Sequence, residues 1–488
     1  MSASCPIALF CLFALAAVPA RAQGSGSDPD ALKTSVLQVL SLATFGMVST
    51  DDQQATVTQD GSDYRVRLKL SGFQAPADAA ITAVARPLDH GRVGIQSMAF
   101  PSSGTVETTQ ANGLINRISF TLGRQTISAK VDPSLSTESS YAADFGDVRL
   151  RTAQGEQRGE QTFDHIAADG TFSAGPDGRL TFVAQSRGTG FHMIGHGPND
   201  FESDTSARAI AGHFAVEGLD RAQGARLLAA FRGLVAADPQ ARSQSEPAPA
   251  AGAAAEQRRQ LGAMLDAANG LLKRVEVDET MEQIHFAVGT AAGSGAGTIG
   301  SLRLTMAGDA LQDRVNTRMG IVADGIAMPA MEAASSGLIP RHFDLKTVLG
   351  GVPVQRLMAL LRAAAQQHAD PMLLQTQAMG LLGDRDARVA IESLSFDAGP
   401  LSVLASARLL PGANGQLGGT IHIAARGVDA LLAKAQSQPK LQQALPVIFM
   451  AKGMGRAQGD SLVWDIALGD GPPTINGTPF GQPTGKTR

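Results

Sequence analysis

Short runs that alternate apolar and polar residues recur through most of this chain, and they restrict its fold more than any other feature. The clearest is Tyr64-Arg65-Val66-Arg67-Leu68-Lys69-Leu70, which gives one solvent-facing and one buried side. Further runs occupy residues 80–85, 93–100, 118–122, 126–131, 148–152, 180–184, 208–216, 283–288, 299–306, 314–322, 389–396, 401–409, 417–425 and 462–468. Because short turns separate most of them, they predict an antiparallel sheet without βαβ units.

Turn signals stand between several of these runs. Asp169-Gly170 is one such signal, and Gly175-Pro176-Asp177-Gly178 is another. Asp-Gly between alternating runs favours a tight hairpin turn, so we expect a hairpin at each.

Helical spacing of apolar residues is confined to a few segments. A short stretch covers residues 31–44, and longer stripes predict helices at residues 220–235, 256–274, 353–367 and 429–451. The last region divides into a helix at residues 429–436 and a second apolar helix near residues 441–451. Asp220 is placed to cap the first of the longer helices, and Pro353 stands in the favoured first turn of the third.

A glycine joins an apolar strand to a helical segment at three places, Gly218, Gly325 and Gly427. In each join the glycine is followed by Leu, Ile or Val and then by a small or acidic residue. This recurrence favours a β-unit that is used repeatedly over a catalytic cassette.

Residues 237–255 are rich in Pro and Ala and have no periodicity, which is typical of a linker or mobile loop. They divide a β-rich half at residues 23–236 from an α+β half at residues 256–488, although the same stretch would also serve to join two halves of one long sheet. We therefore expect an α+β protein: a large, twisted, mainly antiparallel β-sheet with a few amphipathic helices covering one face or the ends.

The first 22 residues read as a secretory signal peptide. Residues 7–18 form an apolar core that is too short to span a bilayer, and Ala20-Arg21-Ala22 is a small-residue cleavage site. The segment lacks a basic residue before its apolar core, so an uncleaved anchor is the alternative. Cleavage near Ala22 predicts a periplasmic protein without a transmembrane segment.

Both cysteines, Cys5 and Cys11, lie in the signal segment, so the mature chain has no disulfide, thiolate metal site or Cys nucleophile. The formal charge of the whole chain is −4, which gives no electrostatic footprint for nucleic acid. Aromatic residues make up only 5% of the chain, which argues against a platform for stacking bases or sugars.

Two short motifs suggest catalysis or nucleotide binding and are better explained by structure. Residues 295–300 match G-x-G-x-x-G, but an alternating strand follows where a dinucleotide site requires a helix, so a flexible hairpin loop is expected. Gly459-Asp460-Ser461-Leu462 spells a serine esterase motif. No histidine follows Ser461, and a serine nucleophile needs a base within reach.

Candidate metal and phosphate ligands are equally weak. His192 and His196 are spaced for a helix, but they lie in a β-rich stretch where they would be about 13 Å apart. Asp384 and Asp386 lack the further oxygen ligands of a calcium loop, and residues 485–487 only partly match a phosphate loop. The remaining strand histidines, His213, His285 and His422, are expected on polar faces.

The order of these features resembles that of a known family. A signal peptide is followed by Arg86-Pro87-Leu88, Phe100-Pro101-Ser102, the repeated glycine joins, Leu468-Gly469-Asp470-Gly471 and Ile475-Asn476-Gly477. Together they are similar to an uncharacterised exported Gram-negative family known only as a domain of unknown function. That family is distantly similar to AsmA-type envelope proteins with long curved sheets. The cleavable signal in place of a membrane anchor and the Pro/Ala-rich interruption depart from its pattern, and the resemblance implies no catalytic residues.

These observations favour a non-enzymatic periplasmic envelope protein that contacts lipid or a protein partner through an apolar concave sheet face. No catalytic, cofactor-binding or metal residue is assigned, and no cofactor is expected. The alternatives are an exported hydrolase that uses Ser461 or a histidine-centred site, and a purely structural or assembly factor whose sheet interior is fully packed. The apolar helices offer a further surface for membrane contact.

Overall fold

The computed structural model describes residues 55–69, 80–89, 92–109, 115–131, 139–237, 250–290, 293–309, 313–329, 338–365, 387–411, 417–438, 441–469 and 471–480. The chain divides into two compact units, Met1–Ser294 and Gly295–Arg488. Each described part consists mainly of antiparallel strands with a few helices, as the alternation predicts. The predicted boundary at residues 237–255 lies within the first unit.

The strands of the first unit form one antiparallel series. They are β1 (Ala55–Asp60), β2 (Asp63–Lys69), β3 (Ala80–Pro87), β4 (Val93–Ala99), β5 (Ser103–Thr109), β6 (Ile115–Thr121), β7 (Gln125–Val131), β8 (Ser139–Gln154), β9 (Gln157–Ala174), β10 (Leu180–Gly197), β11 (Phe201–Leu219) and β12 (Arg274–Thr290). Pairing runs β1–β2–β3–β4–β7–β8–β9–β10–β11–β12. The β5–β6 hairpin pairs with the far half of β8.

Two helices of this unit follow β11: α1 (Arg221–Ala237) and α2 (Ala250–Ala268). Asp220 caps α1 as predicted, because its carboxylate accepts the amide hydrogens of Ala222 and Gln223 at 2.9 and 3.1 Å. The prediction of a helix over residues 256–274 is wrong at both ends. Alanine-rich sequence has high helix propensity and starts α2 at residue 250, inside the predicted linker, while Gly270, with φ +71°, follows its end.

The second unit forms another antiparallel series. Its strands are β13 (Gly293–Asp309, of which the first two residues belong to the first unit), β14 (Arg314–Asp324), β15 (His342–Pro353), β16 (Arg388–Ala398), β17 (Leu401–Pro411), β18 (Leu417–Arg426), β19 (Arg456–Gln458), β20 (Ser461–Leu468), β21 (Thr474–Ile475) and β22 (Thr478–Pro479). Pairing runs β13–β14–β15–β16–β17–β18–β20–β21–β22, and β19 also pairs with β20.

The helices of the second unit are α3 (Val354–Ala365), α4 (Val428–Ser437) and α5 (Leu445–Met454). The prediction of a helix at residues 429–436 and a second one near residues 441–451 is confirmed, with the second starting four residues later. The backbone of Gln438 is extended and ends α4, and Pro446 stands in the first turn of α5, where a proline favours a new start.

The three glycine joins share one backbone conformation. Gly218, Gly325 and Gly427 have φ values of +68°, +67° and +76°. At Gly427 a side chain would overlap the carbonyl oxygen of Pro400, so only glycine fits there. Helices follow Gly218 and Gly427, whereas the helix predicted after Gly325 falls mostly outside the described residues.

Along each long strand of the first unit, every second residue faces the apolar side. At one row of the sheet these positions switch between even and odd residue numbers, which we call the phase change. In β10, buried side chains occupy even positions up to Gly188 and then switch to the odd Phe191. Left-handed residues mark the row on alternate strands: Asp147 (φ +52°), Gly190 (φ +62°) and Gln283 (φ +50°). The register continues across the row without a net shift, so each strand keeps its partner while its apolar residues stay on one face.

Two turn or loop predictions are wrong, because the segments lie inside strands. Asp169-Gly170 is within β9, where a side chain on Gly170 would strike the ring of Tyr141 at 2.6 Å. This glycine makes room for aromatic packing and does not turn the chain. The G-x-G-x-x-G segment is part of β13, and a strand continues after it, as expected. Residues 175–178 do form the turn between β9 and β10.

Candidate functional site

One face of the sheet β8–β12 carries a nearly continuous apolar surface. Directly opposed residues of antiparallel strands point to the same face, so the register assigns its members. We call this set the unit 1 apolar face: Tyr141, Phe145, Val148 and Leu150 in β8; Phe163, Ile166 and Phe172 in β9; Leu180, Phe182, Phe191 and Met193 in β10; Ala207, Ile210, Phe214 and Val216 in β11; Val275, Val277, Met281, Ile284, Phe286 and Val288 in β12. The same rows also contain polar members: Gln161, Ser186, Ser203, Thr205 and Glu279.

Aromatic rings hold the centre of this face together. Phe182 lies at the middle of a cluster, with ring centroids 4.4 Å from Phe172, 6.0 Å from Phe214 and 6.3 Å from Tyr141. A second pair, Phe163 and Phe191, lies beyond the phase change, with centroids 5.1 Å apart. These contacts show that the row of left-handed residues keeps both clusters on one face.

Burial falls along this face toward one end. Phe182 is fully buried and Phe191 nearly so, but Met193 and Phe286 are only half-buried, and Val288 is 41% exposed. The half-buried end therefore presents apolar side chains without a complete cover from the described residues.

An open polar cavity of about 650 Å³ adjoins the half-buried end. Thr152 and Gly195 line it, and each lies two residues beyond a member of the unit 1 apolar face in its own strand. The remaining lining is mostly polar and includes Asn116, Gln154, Gln157, Arg158, His196 and Asn199. The apolar surface thus adjoins a polar cavity, to which Thr152, Gln154 and Gln157 contribute from the same face of the sheet, whereas Arg158 and His196 alternate to the opposite face.

The sheet of the second unit also has an apolar face. Its members are Leu302, Leu304 and Met306 in β13; Met319, Ile321 and Ala323 in β14; Phe343 and Leu345 in β15; Leu394 and Phe396 in β16; Val403 and Ala405 in β17; Ile421 and Ile423 in β18; and Leu462, Trp464 and Ile466 in β20. Met319 is 54% exposed and Met306 37%, so this face is incompletely covered at β13–β14 by the described residues.

Histidine–carboxylate pairs lie on the polar face of each sheet, opposite its apolar face. His165 contacts Asp144 at 2.7 Å, His192 contacts Asp204 at 2.9 Å, and His422 Nδ1 contacts Asp465 at 2.7 Å. The hydrogen bond from His165, with help from Arg124, holds the pKa of the Asp144 carboxyl below its usual 3.8. His422, with Arg456, lowers the pKa of Asp465 in the same way.

One further histidine has both ring nitrogens engaged. His342 Nδ1 lies 2.6 Å from Asp324 Oδ1, and its Nε2 lies 3.4 Å from the Ser395 hydroxyl. The three residues stand on the polar face of adjacent strands β14, β15 and β16. Each nitrogen faces the partner type that it has in a Ser-His-Asp triad. The sequence offers only a short signal for this set: Phe343-Asp344-Leu345-Lys346 alternates, but the run is brief and β15 was not predicted from it.

The residues weighed from sequence do not form such an arrangement. Ser461 hydrogen-bonds with Arg426 and Asp460, at 3.3 Å each, and with no histidine among the described residues. His192 and His196 lie in one strand and pair with different carboxylates, those of Asp204 and Glu202.

Metal binding gains no support within the described ranges, where no group of three His, Cys, Asp or Glu side chains converges. Asp384, Asp386 and residues 485–487 lie outside those ranges. His285 and His422 are exposed on polar strand faces, as expected. Within the part of the chain that the structure describes, the helices are all too short or too polar to cross a membrane.

Comparisons with protein-family models, with curated proteins and with solved structures gave no match to this chain.

Proposed function

We propose that this chain is an exported, non-enzymatic protein of the cell envelope that binds an amphiphile, a phospholipid or fatty acid, on the unit 1 apolar face. The observation that carries the proposal is the passage from half-buried Met193 and Phe286 into the polar cavity lined by Thr152, Gln154 and Gln157 on the same face. An acyl chain fits the first surface and a polar headgroup the second. Ligand sites commonly combine an apolar lining with a few polar groups in this way.

The half-buried side chains supply the driving force. Covering apolar surface gains about 25 cal/mol per Å², so an acyl chain that covers several half-exposed side chains gains a few kcal/mol. The side-chain amides of Gln154 and Gln157 provide hydrogen-bond partners for a polar headgroup. The predicted signal segment, residues 1–22, supports a periplasmic location for the mature protein, where such amphiphiles are abundant.

The chain segments that flank α1 and α2 are fixed near the other end of the unit 1 apolar face. Arg179 donates from Nη1 to the carbonyl oxygens of Gly218 and Gly270 at 2.8 and 3.2 Å, which fixes the chain entering α1 and leaving α2 beside the start of β10. We propose that α1 and α2 cover this end of a twisted sheet, and that the cavity end is left open for the ligand.

A pair of neighbouring substitutions tests the proposal. Phe286 lies on the unit 1 apolar face, and His285 is exposed on the opposite face of the same strand. We expect Phe286→Glu to weaken binding of a fluorescent long-chain fatty acid by at least about tenfold, because a charge replaces apolar contact. His285→Glu should bind the probe like the wild type. Equal effects, or no binding by the wild type, would contradict the proposal.

Ser395, His342 and Asp324 favour a second candidate function, hydrolysis of an acyl ester. In that reaction His342 Nε2 takes the Ser395 proton as Oγ attacks the acyl carbon, and the alcohol leaves with that proton. Water then releases the acid and restores the serine. Asp324 holds the imidazole orientation through Nδ1.

A fluorophosphonate probe tests this candidate directly, since it labels only an activated serine. Labelling that Ser395→Ala abolishes and Ser461→Ala leaves intact would support hydrolysis. Absence of labelling in the wild type would exclude the triad and leave the non-enzymatic function.

A further inference from the structure

Three glycines form the floor of the polar cavity beside the unit 1 apolar face. They are Gly159 in β9 and Gly195 and Gly197 in β10. Gly159 lies directly opposite Gly195 in the register, and Gly197 follows two residues later on the same face. Because glycine has no side chain, the floor is bare backbone, and the flanking strands supply the walls.

The side chains on either side lean over this floor. A carbon added to Gly159 would lie 2.8 Å from Thr152 Oγ1 in β8. A carbon added to Gly195 would lie 2.6 Å from Ser203 Oγ in β11. At the third glycine the added carbon would lie 3.3 Å from the ring of Phe201, which is 40% exposed. Two hydroxyls and one aromatic ring thus border the cleft directly.

Side-chain amides form the outer wall of the same cleft. Asn116 pairs with Gln154 in the β6–β8 register, and Gln154 pairs with Gln157 in the β8–β9 register, so the three amides occupy one row. Gln154, Gln157 and Ser203 make no side-chain hydrogen bond within the described ranges. Their donors and acceptors are therefore available to a ligand.

The lining residues that the register places on this face are all uncharged. Arg158 and His196 alternate to the opposite face, where His196 lies 3.7 Å from Glu202. A charged headgroup that leaves water needs an opposite charge, and the cleft face offers none among the described residues. Amides and hydroxyls both donate and accept hydrogen bonds, as the hydroxyls of a sugar or of glycerol also do.

We propose that this cavity binds an uncharged polyhydroxyl group, a sugar or a glycerol, with the amides against its hydroxyls and the Phe201 ring against its C–H groups. The inference rests on the amphiphile binding proposed above and names the headgroup that the cleft selects. The cavity volume of about 650 Å³ lies within the range of roughly 300–1,000 Å³ that is common for ligand sites. The low aromatic content argues against a stacking platform, whereas this site uses one ring and several amides.

Three amphiphiles with the same tail and different headgroups test the proposal: dodecyl maltoside, dodecanoic acid and dodecylphosphocholine. Each is titrated, below its critical micelle concentration, against the mature full-length protein carrying the fluorescent fatty acid. We expect the maltoside to displace the probe at a concentration at least about tenfold lower than either charged amphiphile, because the cleft can pair with its hydroxyls. Equal or weaker displacement would overturn the headgroup inference and leave amphiphile binding intact, whereas absence of probe binding would overturn both.

Filling the floor gives the first pair of variants. Gly195→Val should weaken maltoside binding by at least about tenfold and change dodecanoic acid binding by less than about twofold, since only the headgroup site is filled. Gly212→Val is the control, because a carbon added there also meets a serine hydroxyl, that of Ser186 at 2.7 Å, but Gly212 does not line the cavity. Equal effects of the two substitutions on maltoside binding would contradict the proposal.

Gln157→Leu and Arg158→Leu form the second pair, because the two residues are neighbours in β9 and alternate to opposite faces. Gln157→Leu should weaken maltoside binding by about threefold to tenfold, since one hydrogen-bonding amide is lost. Arg158→Leu should leave the order of the three amphiphiles unchanged. A lost preference in Arg158→Leu that Gln157→Leu does not show would overturn the proposal, because a charge would then recognise the headgroup.

Free maltose, measured by calorimetry, identifies the source of the polyhydroxyl group. Binding at least about tenfold weaker than that of dodecyl maltoside assigns the cleft to a lipid headgroup, because the tail then contributes on the unit 1 apolar face. Equal binding assigns the cleft to a free sugar.

Discussion

Gly190 is the residue at which the phase change of β10 is made. It has φ +62°, and a side chain there would overlap the carboxylate of Asp164 on the neighbouring strand. The same row contains Asp147 and Gln283, which adopt left-handed backbone at a cost that glycine avoids. Single residues thus determine whether Phe163 and Phe191 share a face with the Phe182 cluster.

We predict that Gly190→Ala destabilises the protein by at least about 2 kcal/mol, measured by chemical denaturation. The left-handed backbone conformation costs an alanine about 1–2 kcal/mol, and the new methyl group must also displace the Asp164 side chain. Gly178→Ala is the control, because Gly178 has φ +72° but open space around it. Gly178→Ala should lower the free energy of unfolding only by the cost of the left-handed backbone conformation. Equal losses in the two variants would show that the Asp164 contact is unimportant.

The Asp144 carboxylate makes a pH-dependent contribution to stability. Its pKa is lowered in the folded state, chiefly by the His165 hydrogen bond, so its stabilisation is present above about 3.8 and is lost as pH falls through the lower folded-state value. Asp144→Asn should therefore be less stable than the wild type at pH 7, and the difference should shrink in acid. Unfolding curves at both pH values test this, with exposed Asp169→Asn as control. A difference that does not change with pH would contradict the assignment.

At the scale of the strand, the phase change explains how far the sequence could predict the fold. The predicted runs at 148–152, 208–216 and 283–288 each begin at or next to the row of left-handed residues, whereas the strands continue through it to 16–19 residues. A strict period of two ends where the phase changes, so the fold class was predictable and the strand lengths were not. The strand β9 was missed because glycines and polar residues interrupt its alternation.

Arg179 connects the start of β10 with the chain that enters α1 and leaves α2, so substituting it tests how these three elements pack. Its guanidinium serves the Gly218 and Gly270 carbonyls and lies 3.6 Å from the Asp220 carboxylate. Arg179→Lys keeps the positive charge but loses the planar guanidinium with its several N–H donors. It should lower the free energy of unfolding by about 1–2 kcal/mol. Arg187→Lys, at an exposed position of β10, should change stability by less than about 0.5 kcal/mol. Similar effects of the two substitutions would mean that Arg179 does not clamp the helices.

At the scale of the whole molecule, each unit pairs an apolar sheet face with a polar one. The sequence predicted this two-faced character, because alternation at a period of two requires it. It did not predict where the apolar side chains remain half-exposed, nor the polar cavity next to Met193, since both depend on which strands adjoin. The Ser395–His342–Asp324 set was equally invisible, because only the strand register brings those residues together.

The most direct test of the account is native mass spectrometry, with organic extraction, of the mature protein purified from periplasm. We predict a bound phospholipid or fatty acid in stoichiometric amount, released by solvent and depleted in Phe286→Glu but not in His285→Glu. An apo mass that stays unchanged after incubation with envelope lipids would contradict amphiphile binding, and it would leave a protein partner or a scaffold role for the apolar faces.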